Sequence, residues 1–378
     1  MNLLLAITLA ASLRSFNGPL VSPANDGDFV FVVAGDNRPT AHGAPWPRVL
    51  PAIFSEIRLI RPDFALWTGD TIYGYDDTRE QLRKEYSEFE ALAKHAGVPI
   101  FNAPGNHEIH DLKNQIPCAE LEAEFQKHFD LFGSFDYRGA HFIALDTEEC
   151  GHSVPAVDGR QLEWLQQDLE ANRNARAIFI FFHTEITQAA LDEDKKNHPP
   201  LANSADLQAL FEKYPVKAVF QGHEHIFHSE TRDGIRYFVA GGAGAPLYAQ
   251  PENGGFSHYL VVEISKDQVT YKVVEPGHFY QEEGEADTRN PAERMLWLVN
   301  SGDLPLPAGR IEASVPGTVG ACADLVVETR LTKYDGTPIP VPMKIGNCTP
   351  AGKTNNLTIV ATDDVPRRSS VPVYVHRK

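Results

Sequence analysis

Short, almost unbroken apolar runs punctuate the first two-thirds of the chain, and each stops at a small or polar residue. Asp28–Ala34 (DFVFVVA) is β-branched and aromatic and ends at Gly35-Asp36. A run of this length and composition predicts a strand buried on both faces. Phe64–Thr68 predicts a second strand, ending at Gly69-Asp70, and Pro99–Ala103 a third, ending at Gly105-Asn106. Ala177–Phe182 and Lys217–Phe220 repeat the pattern and end at His183 and at Gly222-His223. Between them the period changes to that of helices: Pro47 to Leu59, stopped by Arg61-Pro62, then Glu80 to His95 and Arg160–Asn172. Phe135–Asp146 predicts two strands with a turn at Arg138-Gly139, Ile235–Ala240 a strand before a Gly-rich turn, and Tyr259–Val274 a hairpin. Alternating strands and helices define an α/β layered fold, in which polar residues at strand ends gather along one edge, where ligands bind.

The pattern changes after residue 280. Gln281–Pro291 is acidic and polar and predicts a linker or an exposed loop, while Met295–Leu298 and Gly309–Val375 hold short alternating runs broken by Pro and Gly. This predicts a C-terminal β-sandwich-like module over 293–378, behind a catalytic domain over 27–280. The apolar run from Leu3 to Leu13 is too short to span a bilayer. With Ala10, Ala11 and Ser12 near a possible cleavage point, it reads as a secretory signal within 1–17, although no Lys or Arg precedes it. That predicts a secreted or periplasmic protein without stable membrane insertion.

Composition sharpens the picture. The 378 residues are 42% hydrophobic and 22% charged, with a net charge of −17. Such a surface repels polyanions and argues against a nucleic-acid partner. An anionic substrate would need a local positive centre, such as bound metal. Cys118, Cys150, Cys322 and Cys348 allow three pairings, of which 118–150 with 322–348 closes the shortest loops. Four buried thiols would instead suit a cytosolic chain.

Five motifs stand at the predicted strand ends: Gly35-Asp36-Asn37-Arg38, Gly69-Asp70-Thr71-Ile72-Tyr73, Gly105-Asn106-His107-Glu108, Phe181-Phe182-His183 and Gly222-His223-Glu224-His225. Singly each reads as a turn or a core histidine; together, in this order, they supply oxygen and imidazole donors to one place. The set resembles the calcineurin-like metallophosphoesterases, and the Asp70-x-x-Tyr73 spacing and the Gly159–Leu165 helix resemble their purple acid phosphatase branch. The resemblance covers about Phe29 to Pro276 and implies two mixed β-sheets sandwiched together and flanked by helices.

Many members of that family carry a ligand His where this chain has Arg38. Arginine has no lone pair to give a metal. Tyr73 would replace the donor, or simply pack near the strand end. A phenolate favours a ferric first ion beside a divalent Fe, Zn or Mn. The resemblance implies Asp36, Asp70, Tyr73 and His225 around the first metal. It implies Asp70, Asn106, His183 and His223 around the second, with Asp70 bridging. Two such ions neutralise a phosphoryl group and turn a bound water into hydroxide near neutral pH. His107 would protonate the leaving group or orient Asn106. Arg38 would grip a phosphate oxygen or pair with a surface carboxylate. The expected activity is binuclear hydrolysis of a small phosphate ester, a phosphomonoester. The alternatives are a phosphodiesterase acting on nucleotides or phospholipid head groups, and a binding protein on a phosphatase fold. His42, His110, His152, His228 and His258 are left over, most of them as surface or packing residues; His110, His152 and His228, close in sequence to the motifs or the presumed mouth, could touch substrate, and nothing in the spacing singles one out, while Asp192–Lys196 reads as a solvated loop.

Overall fold

The computed structural model describes residues 13–75, 78–113, 115–186, 201–266, 268–284, 293–302, 305–306, 308–309, 311–333 and 336–378. The expected Asp192–Lys196 loop and most of the expected signal segment lie outside them. The chain divides into two compact units. The first comprises residues up to Leu50, Asp63–Lys94 and Val98–Val273; the second, Pro51–Pro62, His95–Gly97 and Val274–Lys378.

In chain order the elements run β1 (Phe29–Ala34), α1 (Val49–Ile60), β2 (Phe64–Trp67), α2 (Arg79–Ala93), β3 (Ile100–Asn102), α3 (Asn106–Ile109), α4 (Cys118–Phe125), β4 (Gly133–Tyr137), β5 (Ala140–Ala144), α5 (Gly159–Ala171), β6 (Ala177–Phe181), α6 (Ser204–Phe211), β7 (Val216–Gln221), β8 (Phe227–Arg232), β9 (Ile235–Ala240), β10 (Tyr259–Ser265) and β11 (Gln268–Val274). They form two mixed sheets, ordered β11-β10-β1-β2-β3 and β4-β5-β6-β7-β9-β8. β1, β2 and β3 are mutually parallel, as are β5, β6, β7 and β9; β10 pairs antiparallel with β1, and β4 and β8 are antiparallel edges of the second sheet, while β3 is a parallel edge of the first.

The sheets face each other across an aromatic core. Phe31 of β1 meets Phe142, Phe179 and Phe220 of the other sheet edge-on, at centroid distances of 5.3, 5.3 and 5.9 Å. Edge-to-face geometry sets the positive ring edge on the negative ring face. The intervening residues Ile143, Ile178, Ile180 and Val219 turn the opposite way, onto Leu165 and Leu169 of α5 and Leu207 and Phe211 of α6. Both faces of these strands are therefore buried, which is why their sequences read as continuous apolar runs.

Residues 13–17 belong to this unit. Leu13 sits in the aromatic core and its N–H donates to Ser134. Phe16 bridges to Ile100, and the Asn17 amide donates to the Ala93 carbonyl. These contacts tie residues 13–17, the last part of the expected signal segment 1–17, into the unit.

The second unit holds β12 (Phe279–Gly284), β13 (Arg294–Asn300), β14 (Glu312–Thr318), β15 (Leu325–Thr329), β16 (Met343–Ala351), β17 (Thr354–Ala361) and β18 (Ser369–Arg377). They form two antiparallel sheets, β12-β13-β18-β15 and β14-β17-β16, as expected of a β-sandwich-like module. The expected linker is corrected: its first residues are strand β12, paired with β13 from Phe279↔Asn300 to Gly284↔Met295. The disulfides are the local pairs, Cys118–Cys150 and Cys322–Cys348.

Candidate metal centre

Every expected metal donor except Tyr73 sits at the C-terminal end of a parallel strand: Asp36 after β1, Asp70 after β2, Asn106 after β3, His183 after β6, His223 and His225 after β7. The chain must turn sharply there. Asp36, Asp70 and His223 adopt left-handed backbone conformations, with φ of 58°, 52° and 70°. Asp tolerates this better than most residues because its side chain bonds locally. Gly222 permits a close approach, since a Cβ there would lie 2.5 Å from Asp36 Oδ2.

Asp36, Asp70 and His183 bring ligand atoms within 4.8 Å of one another, all buried. His183 Nε2 lies 3.3 Å from Asp70 Oδ1 and 2.8 Å from Asn106 Oδ1, and its Nδ1 donates to the Thr68 carbonyl at 2.8 Å. His223 Nδ1 lies 2.9 Å from Asn106 Oδ1. His225 Nε2 lies 3.6 Å from Asp36 Oδ1, with its Nδ1 on the Pro246 carbonyl at 2.6 Å and Tyr248 stacked on its ring. Carbonyls can only accept, so His183 and His225 each turn a bare Nε2 towards the carboxylates when neutral.

Two carboxylates this close, without water, repel each other. Burial pushes Asp36 well above the usual range. Burial would raise Asp70 too, but His183, His107 and Arg38 hold it below that range. Burial lowers His183, yet Asp70, Asp36 and Glu148 override it and lift it to about 9. Burial, followed by Arg38, takes His225 down to about 3. Such a set of oxygen and imidazole donors in a dry place fits divalent or trivalent cations, whose charge would offset the repulsion.

Glu108 holds the centre together. Its Oε1 accepts from Thr71 N at 2.6 Å, Thr71 Oγ1 at 2.7 Å and Ile72 N at 3.3 Å; its Oε2 accepts from Gly105 N at 2.8 Å and Asp70 N at 3.0 Å. The β2 and β3 end-loops are thereby tied to one carboxylate. These donors favour the charged form, while burial and Asp70 push Glu108 up to about 7. Asn37 is a second tie, accepting from Trp67 Nε1 at 2.6 Å and donating to the Thr71 carbonyl at 3.1 Å.

The remaining expected residues surround the cluster. Arg38 places Nε 3.5 Å from Oδ2 of Asp70, a buried carboxylate at the centre. His107 donates from Nδ1 to the Tyr73 carbonyl, and its Nε2 lies 3.8 Å from Asp70 Oδ2; burial lowers it to about 4. The Tyr73 ring lies between His42, at 4.7 Å, and His107, at 5.7 Å, and its hydroxyl has no hydrogen-bond partner among the described residues.

Sequence reading missed Tyr75 and Glu148. Tyr75 stacks on His107 at 3.7 Å, and its hydroxyl contacts the Asn106 amide. Its one sequence signal is a second tyrosine two residues beyond Tyr73. Glu148 follows β5, accepts from Thr184 Oγ1 at 2.6 Å beside His183, and pairs with His110. Nothing in its spacing marks it.

The calcineurin-like phosphoesterase family matches residues 29–227, more than half of the chain, and the chain belongs to that family. Among curated relatives, the "Probable cyclic nucleotide phosphodiesterase" of Rhodococcus erythropolis is 25% identical over 181 residues, covering 48% of this chain and 57% of the relative. The "Probable inactive purple acid phosphatase 14" of Arabidopsis thaliana is 24% identical over 268 residues, covering 56% and 65%. The chain thus spans less than two-thirds of either relative. Purple acid phosphatase PPD1 from yellow lupin, Lupinus luteus, shares the fold with a TM-score of 0.54 at 17% identity, covering 67% of this chain and 53% of that one.

Proposed function

We propose that this chain hydrolyses phosphomonoesters with the help of two metal ions. The observation that carries the reading is the buried convergence of Asp36, Asp70 and His183, two carboxylates and an imidazole drawn from the ends of three strands. Asp36, Asp70, Tyr73 and His225 hold one ion, and Asp70, Asn106, His183 and His223 the other. Bound there, the pair supplies charge neutralisation of the phosphoryl oxygens and a hydroxide near neutral pH. The phenolate of Tyr73 makes ferric iron the preferred first ion, with a divalent ion second.

The chain's own residues do the rest. Arg38, already beside Asp70, offers its planar fork to a phosphoryl oxygen. A monoester has one more terminal oxygen than a diester, and an extra cation suits its higher charge. His107 donates Nδ1–H to the Tyr73 carbonyl, which turns Nε2 to the Asp70 side; as the imidazolium it would pass its Nε2 proton to the leaving oxygen and return to the neutral ring. Tyr75 covers the other face of that ring. Two disulfides fit an exported protein, and no helix among the described residues is long and apolar enough to cross a membrane.

The diesterase reading draws on the Rhodococcus relative. Turnover of 4-nitrophenyl phosphate against bis(4-nitrophenyl) phosphate, with metal content measured on the same sample, separates the two. Faster monoester turnover with two metals per chain is expected, and Asp70→Ala should lose both ions and all turnover. Faster diester turnover would move the assignment, and a metal-free protein without turnover would make it a binding protein.

A further inference from the structure

One cleft near the centre has no role in the hydrolysis just described. It encloses about 280 Å³ and is lined by His110, Glu148, Glu149, His152, Val154 and Pro155, among others. Glu148 joins it to the metal centre, because the Thr184 hydroxyl that holds Glu148 follows His183 directly in the chain. Cys150, two residues after Glu148, is bonded to Cys118 of α4, and its N–H donates to Glu122 at 2.9 Å.

The hydrogen-bond direction in this cleft is one-sided. His110 Nε2 lies 3.2 Å from Glu148 Oε2, and the same carboxylate accepts from the Thr147 and Thr184 hydroxyls at 3.0 and 2.6 Å. A carboxylate holding two hydroxyl donors takes the imidazole N–H, so neutral His110 keeps its lone pair on Nδ1. His152 repeats the arrangement. Its Nε2 lies 3.3 Å from Asp158 Oδ1, and its Nδ1 is buried without a hydrogen-bond partner among the described residues. Glu149 adds a further acceptor to the lining. A ligand group entering here meets mostly acceptors, with the Ser153 hydroxyl able to act either way, and is held best when it brings its own donors.

We propose that this cleft is the leaving-group subsite, that it selects esters of alcohols bearing hydrogen-bond donors, and that His110 is its specificity-determining residue. The inference rests on the phosphoesterase reading and adds its substrate class. The donors come from hydroxyls of a polyol or from the ammonium of an amino alcohol.

Three monoesters test it: glycerol 1-phosphate, ethanolamine phosphate, and propyl phosphate as the control without donors. One well-placed hydrogen bond is worth about 10-fold in kcat/KM, so at least one donor-bearing ester should exceed propyl phosphate by about that factor. The one that does identifies the source. His110→Phe keeps a flat ring but removes the acceptor. It should abolish the preference, bringing the ratio of kcat/KM for the preferred ester to that for propyl phosphate from about 10 to about 1, the loss of one hydrogen bond. His110→Asn, whose side-chain oxygen can stand near Nδ1, should restore part of the preference. Equal turnover of all three esters by the wild type would overturn the subsite, as would a His110→Phe variant that keeps the wild-type ratio between the esters. Turnover of none of them would overturn the phosphoesterase reading itself.

Discussion

Replacing Glu108 by Gln alters one atom and should weaken the whole centre. The carboxylate oxygens accept five hydrogen bonds, three on Oε1 and two on Oε2. The glutamine oxygen would take the busier position, and its NH2 would then face the N–H groups of Asp70 and Gly105. Both are buried, and an orphaned buried donor costs about 1–3 kcal/mol. The sum is about 2–6 kcal/mol. For a unit of this size that corresponds to about 5–20 °C in Tm. Because Asp70 loses its main-chain anchor, metal affinity should also fall by about 10–100-fold, the usual effect of removing a group that orients a ligand. Thermal unfolding in the presence of a chelator isolates the first effect, and a zinc or iron titration the second. If the metal-free variant melted within about 2 °C of the wild type and bound metal equally well, Glu108 would not be the tie described here, since no loss expected of orphaned donors would have appeared.

Removing His107 as alanine should lower kcat by about 10²–10⁴-fold with the metals still bound, and least for esters with good leaving groups; an equal loss across leaving groups would point to a positioning role. Tyr73→Phe should abolish any visible phenolate-to-iron band and shift the first site towards divalent ions, because only the oxygen is lost; a colourless active wild type would sink the ferric assignment. A third test concerns stability, far from the ligands. His141 Nδ1 and Nε2 each lie 2.7 Å from a carboxylate, of Asp136 and Asp168. Burial alone would lower its pKa, but the two carboxylates lift it to about 9. The folded value is raised, so this stabilisation is complete below the unfolded value of about 6.5 and is lost as pH rises towards about 9. It is of the order of 3 kcal/mol at most. Urea unfolding should show wild-type stability falling across that window and His141→Gln showing no such fall.

The strands that build the centre were legible because both of their faces are buried. Phe29–Ala34, Phe64–Trp67 and Ala177–Phe181 are apolar at every position, and that signal is local. The strand-end positions of the expected donors were legible because a polar residue directly after such a run stands at the edge where parallel strands end. β8 and β12 were not seen. Both are sheet edges with polar sequences, FHSETR and FYQEEG, and their pairing comes from a neighbouring strand and not from their own composition. α3, α4 and α6 are at most eight residues long, too short for a helical period to emerge. The place of Leu13 in the core, the five donors on Glu108, and the meeting of Glu148 with His110 across 38 residues were decided only by tertiary structure. Periodicity reports which face of a segment is buried. It carries nothing about which distant side chain waits on the other side, since that depends on how two sheets close on one another.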